Sequence, residues 1–216
     1  IEVLHNGAEQ ACSEIASPCH EPFSKQNPFL LCFIGGLFSH LHGDCIEDIF
    51  QAVSQIRQKY PWVEFHLYGQ RQPADFLEDL IRCDGFTHHG IVMPLEKKFE
   101  IMEKAHCFVI PSSFKEEKHR HYRYSFPTKL PELIASGRPI LSYGPKETAT
   151  NRILETNNLG LRIHDRSVPK LVESLETLVI QYQESIKKFA SFSPTILEKF
   201  SAYGVRRKLR NILSFN

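Results

Sequence analysis

Phe29-Leu-Leu-Cys-Phe-Ile34, closed by Gly35-Gly36, is an apolar run with no alternation of polar residues. A strand with one wet face alternates; a continuous run reads as a strand covered on both faces, as in a parallel sheet. The residues after it change period. Ile46, Ile49, Phe50, Val53 and Ile56 recur at helical spacing, with Asp44 and Glu47 reading as a capping box at the helix start. The strand-then-helix unit then repeats. Val63–Tyr68 ends at Gly69, followed by helical spacing through Phe76, Leu77, Leu80 and Ile81. A short strand is expected near Phe86-Thr87, a helix over 96–105, and a buried strand at Cys107-Phe-Val-Ile110, stopped by Pro111. A polar, basic loop leads to a short helix near 129–136, a strand at Pro139–Ser142, a helix near 146–155 and a strand at Leu159–Ile163. Ser167 heads a helix bearing Leu171, Val172, Leu175, Leu178 and Val179, and the rest reads as helical.

Strands alternating with helices predict an α/β domain, a Rossmann-like parallel sheet with helices on both faces. Ligands of such sheets bind beyond the carboxyl ends of the strands. Here those ends are Gly35-Gly36, Gly69, Pro111-Ser112-Ser113 and Tyr143-Gly144. Ahead of the first long run, Ile1–Leu4 reads as a short strand and 8–28 as a linker-like loop rich in polar residues and proline.

Composition narrows the partners. The 216 residues suit one such domain, and the net charge of +1 gives no bulk attraction to nucleic acid. No run approaches the roughly 18 apolar residues of a membrane span, and no leader is evident. Cys32 and Cys107 sit inside apolar runs and no close pair occurs among the six cysteines, which predicts a reducing, cytoplasmic setting. Cys12, Cys19 and His20 lack the second half of a zinc spacing, and His88-His89 and His119-x-His121 lack further ligands, so no metal is predicted. The chain opens on Ile1 inside a strand-like run rather than on Met, which predicts a longer parent.

The chemistry is concentrated in Ser125-Phe-Pro-Thr-Lys-Leu-Pro-Glu-Leu-Ile-Ala-Ser-Gly-Arg-Pro-Ile140. Pro131 is tolerated only in a first helical turn, so the helix is expected to start near Pro127 or Thr128, with Gly137 just past its end. Free amides at a helix start, together with the Lys129 ammonium, suit a phosphate or diphosphate. Glu132, one turn on, suits a diol such as a ribose, since a carboxylate accepts from both hydroxyls. The competing reading is a surface lysine and a glutamate that merely complements the helix dipole.

These residues fall into a wider resemblance. Glu2–Glu9, Phe33-Ile-Gly-Gly36 with His42-Gly43, Leu67-Tyr-Gly69, Gly90–Leu95, Val109-Ile-Pro-Ser-Ser113 and Phe126–Pro139 resemble, in order, the motifs of the C-terminal domain of retaining glycosyltransferase family 4. The resemblance implies one half of a GT-B fold over residues 1–216, with residues 194–216 forming a terminal helix that covers an N-terminal domain. It implies a nucleoside-diphosphate sugar as substrate and transfer with retention to a saccharide or lipid-linked acceptor. Polysaccharide or lipopolysaccharide assembly, at the inner face of a membrane, belongs to the same implication. Lys129 and Glu132 become the catalytic pair. Gly35, Gly36, Val92, Tyr124, Ser125, Phe126, Pro127, Thr128 and Leu130 become donor contacts, with Glu132 on the ribose and the backbone near Val92 at the nucleobase.

Three positions depart from the family. Tyr124 stands where the first glutamate of the E-x7-E motif is common, Gly36 where an arginine is common, and His42 where a lysine is common. Arg120 and Arg123, in the basic segment after Ser113, are candidate phosphate contacts in their place. Two alternatives follow from the departures and the shared fold: a non-catalytic Rossmann-like binding module and a sugar-nucleotide epimerase. The basic, amphipathic end of the chain also suits peripheral contact with an anionic membrane.

Overall fold

A computed structural model describes residues 7–8, 22–70, 78, 82–92, 95–189 and 194–214. Among them six strands form one parallel sheet: β1 (Phe29–Ile34), β2 (Val63–Tyr68), β3 (Phe86–His88), β4 (Cys107–Pro111), β5 (Ile140–Tyr143) and β6 (Leu161–Ile163). Their order is β3-β2-β1-β4-β5-β6. The chain steps outward from β1 to β3, then returns to lay β4 on the other side of β1, so the strand order reverses between β1 and β4. In open α/β sheets a crevice opens at such a reversal, outside the carboxyl ends.

The continuous apolar runs serve two cores, because successive strand side chains point to opposite faces. Phe29, Leu31 and Phe33 of β1 enter one core with Cys107 and Val109 of β4, against helices α1 (Ser39–Arg57) and α6 (Val168–Ile180). Cys32 of β1 enters the other with Phe108 and Ile110 of β4. There the helical partners are α2 (Leu95–Lys104), α4 (Leu130–Ala135), α5 (Ala149–Thr156) and α8 (Pro194–Phe200). Gly69 lets the β1 and β2 ends close together: at φ +148°, a Cβ there would lie 1.7 Å from the Gly35 carbonyl oxygen. Ser167 caps α6, its hydroxyl accepting from the Lys170 amide at 3.3 Å.

Several expectations change. Helix α1 begins at Ser39, five residues before Asp44, so Asp44 and Glu47 are not a capping box; Asp44 turns inward to the β4 end instead. The basic segment after Ser113 is not a loop but a helix, α3 (Glu116–Tyr124). Glu116 and Glu117 in its first turn and His121 and Arg123 in its last complement the helix dipole. The described residues within 8–28 are packed onto the domain. Phe23 packs among Phe29, Trp62, His106 and Tyr182, with ring centroids 4.9–5.5 Å away. The Ala8 amide donates to the Phe200 carbonyl, and the Ala202 amide donates to the Ala8 carbonyl, both at 2.7 Å. The region 194–216 holds two helices, α8 and α9 (Ala202–Leu213), because the Ser201 hydroxyl accepts from the Gly204 amide and starts a new one. Helix α7 (Tyr182–Phe189) precedes them. The expected strand at Ile1–Leu4, the helix through Phe76–Ile81 (apart from Glu78), Cys12, Cys19 and His20 lie outside the described residues.

His106 is held neutral in this fold. Burial, reinforced by Arg138, pushes its pKa down to about 4, and its Nδ1 accepts from the Leu30 amide at 3.0 Å. Cys32, Cys45 and Cys107 are buried free thiols. No helix among the described residues is long and apolar enough to cross a membrane.

Candidate functional site

The ends of β1 and β4 diverge at the reversal of strand order, and a cleft of about 350 Å³ opens between them. One wall is the end of β1 and its continuation, Phe33, Ile34, Gly35, Gly36 and Phe38. Backbone bonds knit this wall to β2: the Gly35 amide donates to Tyr68 and the Leu37 amide to Gln70, both at 2.8 Å. The opposite wall is the β4 end, Val109 to Ser112. It is pinned to α1 by Asp44, whose Oδ2 accepts from the Ser113 hydroxyl at 3.0 Å and the Phe114 amide at 3.2 Å. The Cys45 thiol donates to the Ser112 carbonyl in the same place.

The third side is the segment that carries the chemistry. Ser125, Pro127, Thr128, Lys129 and Leu130 all line the cleft. Tyr122 of α3 does so too, its hydroxyl donating to the Leu41 carbonyl at 2.7 Å and tying α3 to α1. Helix α4 starts at Leu130, two or three residues later than the sequence predicts, and has six residues. Its dipole is correspondingly small, and the positive charge at the cleft rests on Lys129. Burial lowers the pKa of Lys129, Lys98 lowers it further, and Glu132 acts in the opposite direction. No hydrogen bond or ion pair among the described residues engages the Lys129 ammonium.

Glu132 lies in the first turn of α4, beside the cleft rather than in its lining. Its Oε2 accepts from Lys98 of α2 in a close ion pair, with side chains only 16% (Lys98) and 26% (Glu132) exposed. Lys98 is the residue that sequence reasoning misses. It lies 34 positions from Glu132, and a lysine next to Lys97 on a charged helix carries no local signal of a distant partner.

The other predicted residues are not gathered here. Val92 lines a separate groove of about 450 Å³ with Cys32, His66, Tyr68 and His89, where the His89 ring stacks on Tyr68 at 4.4 Å. Phe126 is half-buried against the second core. Tyr124 is 73% exposed and does not line the cleft, nor do Arg120 and Arg123. The Arg123 carbonyl accepts from Arg152, and its guanidinium sits 5.9 Å from the Tyr124 ring centroid. His42 lies within α1. A larger hollow, about 650 Å³, lies along β6, α6 and α7 and shares no residue with the cleft. The described residues contain no group of three or more His, Cys, Asp or Glu side chains able to hold a metal ion.

Comparison with known proteins bears on this geometry. A family model described as "Glycosyl transferases group 1" matches residues 28–181, well over half of the chain. The C-terminal domain of the glycosyl transferase group 1 family protein LpcC from Francisella tularensis superposes with a TM-score of 0.58 at 14% identity, covering 94% of this chain and 97% of that one. Anabaena HepE, solved in complex with UDP and glucose, superposes with a TM-score of 0.64 at 15% identity, over 88% of this chain and 49% of its own. The lipopolysaccharide outer core galactosyltransferase WaaB, in apo form, does so with a TM-score of 0.64 at 17% identity, over 100% of this chain and 56% of its own. The chain thus spans about half the length of the latter two. Comparison with curated protein sequences returns no match.

Proposed function

The chain belongs to the glycosyl transferases group 1 family, and from that premise we propose that the cleft at the reversal of strand order binds the diphosphate of a nucleoside-diphosphate sugar. The observation that carries the reading is the convergence of Gly35, Gly36, Thr128 and the unengaged Lys129 on one cleft, with Glu132 beside it. Lys129 and nearby backbone amides hold the phosphates. Glu132 accepts from the ribose hydroxyls, and the backbone at Val92, on the β2 and β3 side, meets the nucleobase. UDP is the favoured nucleotide, because HepE, which shares the fold, was solved with UDP.

The reaction is glycosyl transfer with retention. Its barrier falls because a fixed cation and amide donors stabilise the departing diphosphate, whose charge grows in the transition state. The acceptor, a saccharide or a lipid-linked saccharide, is met by an N-terminal domain, which also covers α9. This support for α9 is its surface: none of its residues is buried, and Tyr203, Leu209 and Leu213 are exposed.

Titration calorimetry with UDP, GDP and ADP tests the reading. Binding of one nucleotide, lost in both Lys129→Ala and Glu132→Ala, is the expected result. Equal affinity of the unaltered chain and both variants would remove the site. A second reading, a module that binds nucleotide without transferring sugar, is favoured by Tyr124, which is exposed where the resembled family commonly has a glutamate. Sugar transfer by the chain joined to its N-terminal domain would exclude it.

A further inference from the structure

We propose that Lys98 is a positioning residue for the donor ribose, holding the Glu132 carboxylate where a diol can read it; the inference rests on the donor-site reading above. Three observations carry it. First, Glu132 forms its ion pair not with Lys129, three residues away in sequence, but with Lys98 from a different helix. Both partners are mostly buried, so the pair is less screened by water than a surface one. Secondly, the contact uses Oε2 alone. An ionised carboxylate offers about four acceptor sites, so Oε1 and the remaining sites of Oε2 stay available to two hydroxyls. Thirdly, the Lys129 ammonium lines the cleft with no hydrogen bond or ion pair among the described residues.

Without Lys98, the Glu132 side chain regains its rotamer freedom, which ligand binding must then remove. Lys129, whose charge already feels Glu132, is then a competing partner. The carboxylate would be drawn toward the cation that is needed for the diphosphate. Lys98 therefore separates two tasks that the short spacing of Lys129 and Glu132 would otherwise merge. It also adds a positive charge in a domain where Gly36 and His42 stand in place of the resembled family's common cations.

The test compares UDP with its 2′,3′-dideoxy analogue, which keeps the diphosphate and base and lacks the diol. The affinity ratio isolates the ribose contact, because any effect on the diphosphate cancels. Hydrogen bonds to a charged group predict a preference for UDP of about tenfold or more in the unaltered chain. Lys98→Met, which keeps an unbranched side chain, should reduce that preference to about threefold or less on the same scale, as should Glu132→Gln. Lys98→Arg should retain it, and Lys98→Met added to Glu132→Gln should change nothing further. Should Lys98→Met not melt cooperatively, Lys98→Gln gives the same reading. A preference that survives both neutral substitutions, or equal weakening of both nucleotides with the ratio intact, overturns the inference while leaving the donor site standing. Failure of the unaltered chain to bind either nucleotide removes the donor-site reading, and this inference with it.

Discussion

Two clusters of charge flank the carboxyl end of β4, and they are spent differently. On α1, Asp44 and Asp48 are buried, and each accepts two or more hydrogen bonds from inside the protein. Asp44 accepts from Ser113 and Phe114, while Asp48 accepts from the Tyr143 hydroxyl at 2.9 Å and from Arg166 at 2.8 and 3.2 Å. Across the cleft, Lys98, Glu132 and Lys129 pair only in part: one bond joins Lys98 to Glu132, and Lys129 is unengaged among the described residues. A charge whose hydrogen bonds are all made inside the protein fixes backbone. A charge left over is available to a ligand. On this argument the first cluster is scaffold and the second is the proposed donor site, and the two should respond oppositely to substitution.

The largest effect expected is on stability. Asp48→Ala removes bonds to a charged acceptor and leaves the buried Tyr143 O–H without its acceptor, though the hydroxyl still accepts from the Ser167 amide, a loss of about 3 kcal/mol once the half-exposed Arg166 is discounted. Urea unfolding measures it, and UDP affinity of the folded protein should stay within about twofold. An affinity loss as large as the stability loss would erase the distinction between the clusters.

Lys129→Met should do the reverse. Loss of a charge-assisted contact to a phosphate weakens UDP binding about thirtyfold, read by calorimetry. Stability should hold or rise. The folded-state pKa of Lys129 is depressed, chiefly by burial. Below the ordinary lysine value the unfolded chain therefore binds more protons, and stability at Lys129 increases as pH rises toward that value. Removing the charge at pH 7 removes this penalty. A marked fall in melting temperature would place Lys129 in the scaffold.

This division explains what the sequence does and does not disclose. Phe29–Ile34 and Cys107–Ile110 are legible because burial on both faces writes itself as an unbroken apolar run. Ser125–Leu130 are legible because Pro131 and Gly137 punctuate the short helix, and Gly137 takes φ +67°. Helix α3 is hidden: its mean character is charged, and the hydroxyl that ties it to α1, Tyr122 on Leu41, makes a contact across 81 positions. Asp44 misleads because an acidic residue three before Glu47 looks like a cap, whereas its partners lie 69 and 70 positions away. Lys98 is invisible for the same reason. Local rules read periods and caps; they do not read ion pairs between helices.

Acid should act through the scaffold. His106 is neutral when folded, with its pKa lowered to about 4. As pH falls below the ordinary histidine value the unfolded chain protonates first, so stability falls, by about 1.5 kcal/mol between pH 6.5 and pH 5. His106→Asn keeps an acceptor for the Leu30 amide and removes the titration. Its unfolding free energy should be flatter with pH over that interval, and an unchanged slope would assign the acid sensitivity elsewhere.

The smallest effect expected on the cleft is the most searching for the comparison, because it concerns the seam between the clusters. Ser113→Ala removes one of the two donors to Asp44 and the acceptor of the Lys115 amide, and leaves the Phe114 amide in place. Two hydrogen bonds are lost, only one of them to a charged acceptor and the other at the partly exposed start of α3, about 2 kcal/mol together. Ser113 does not line the cleft, but Ser112 does, and the Cys45 thiol holds the Ser112 carbonyl independently. With that second anchor intact, the cleft wall should stay where it is and UDP affinity should move by less than about twofold. If affinity instead drops severalfold for so small a loss of stability, Asp44 is setting the position of the cleft wall through Ser113, and the buried cluster is part of the site.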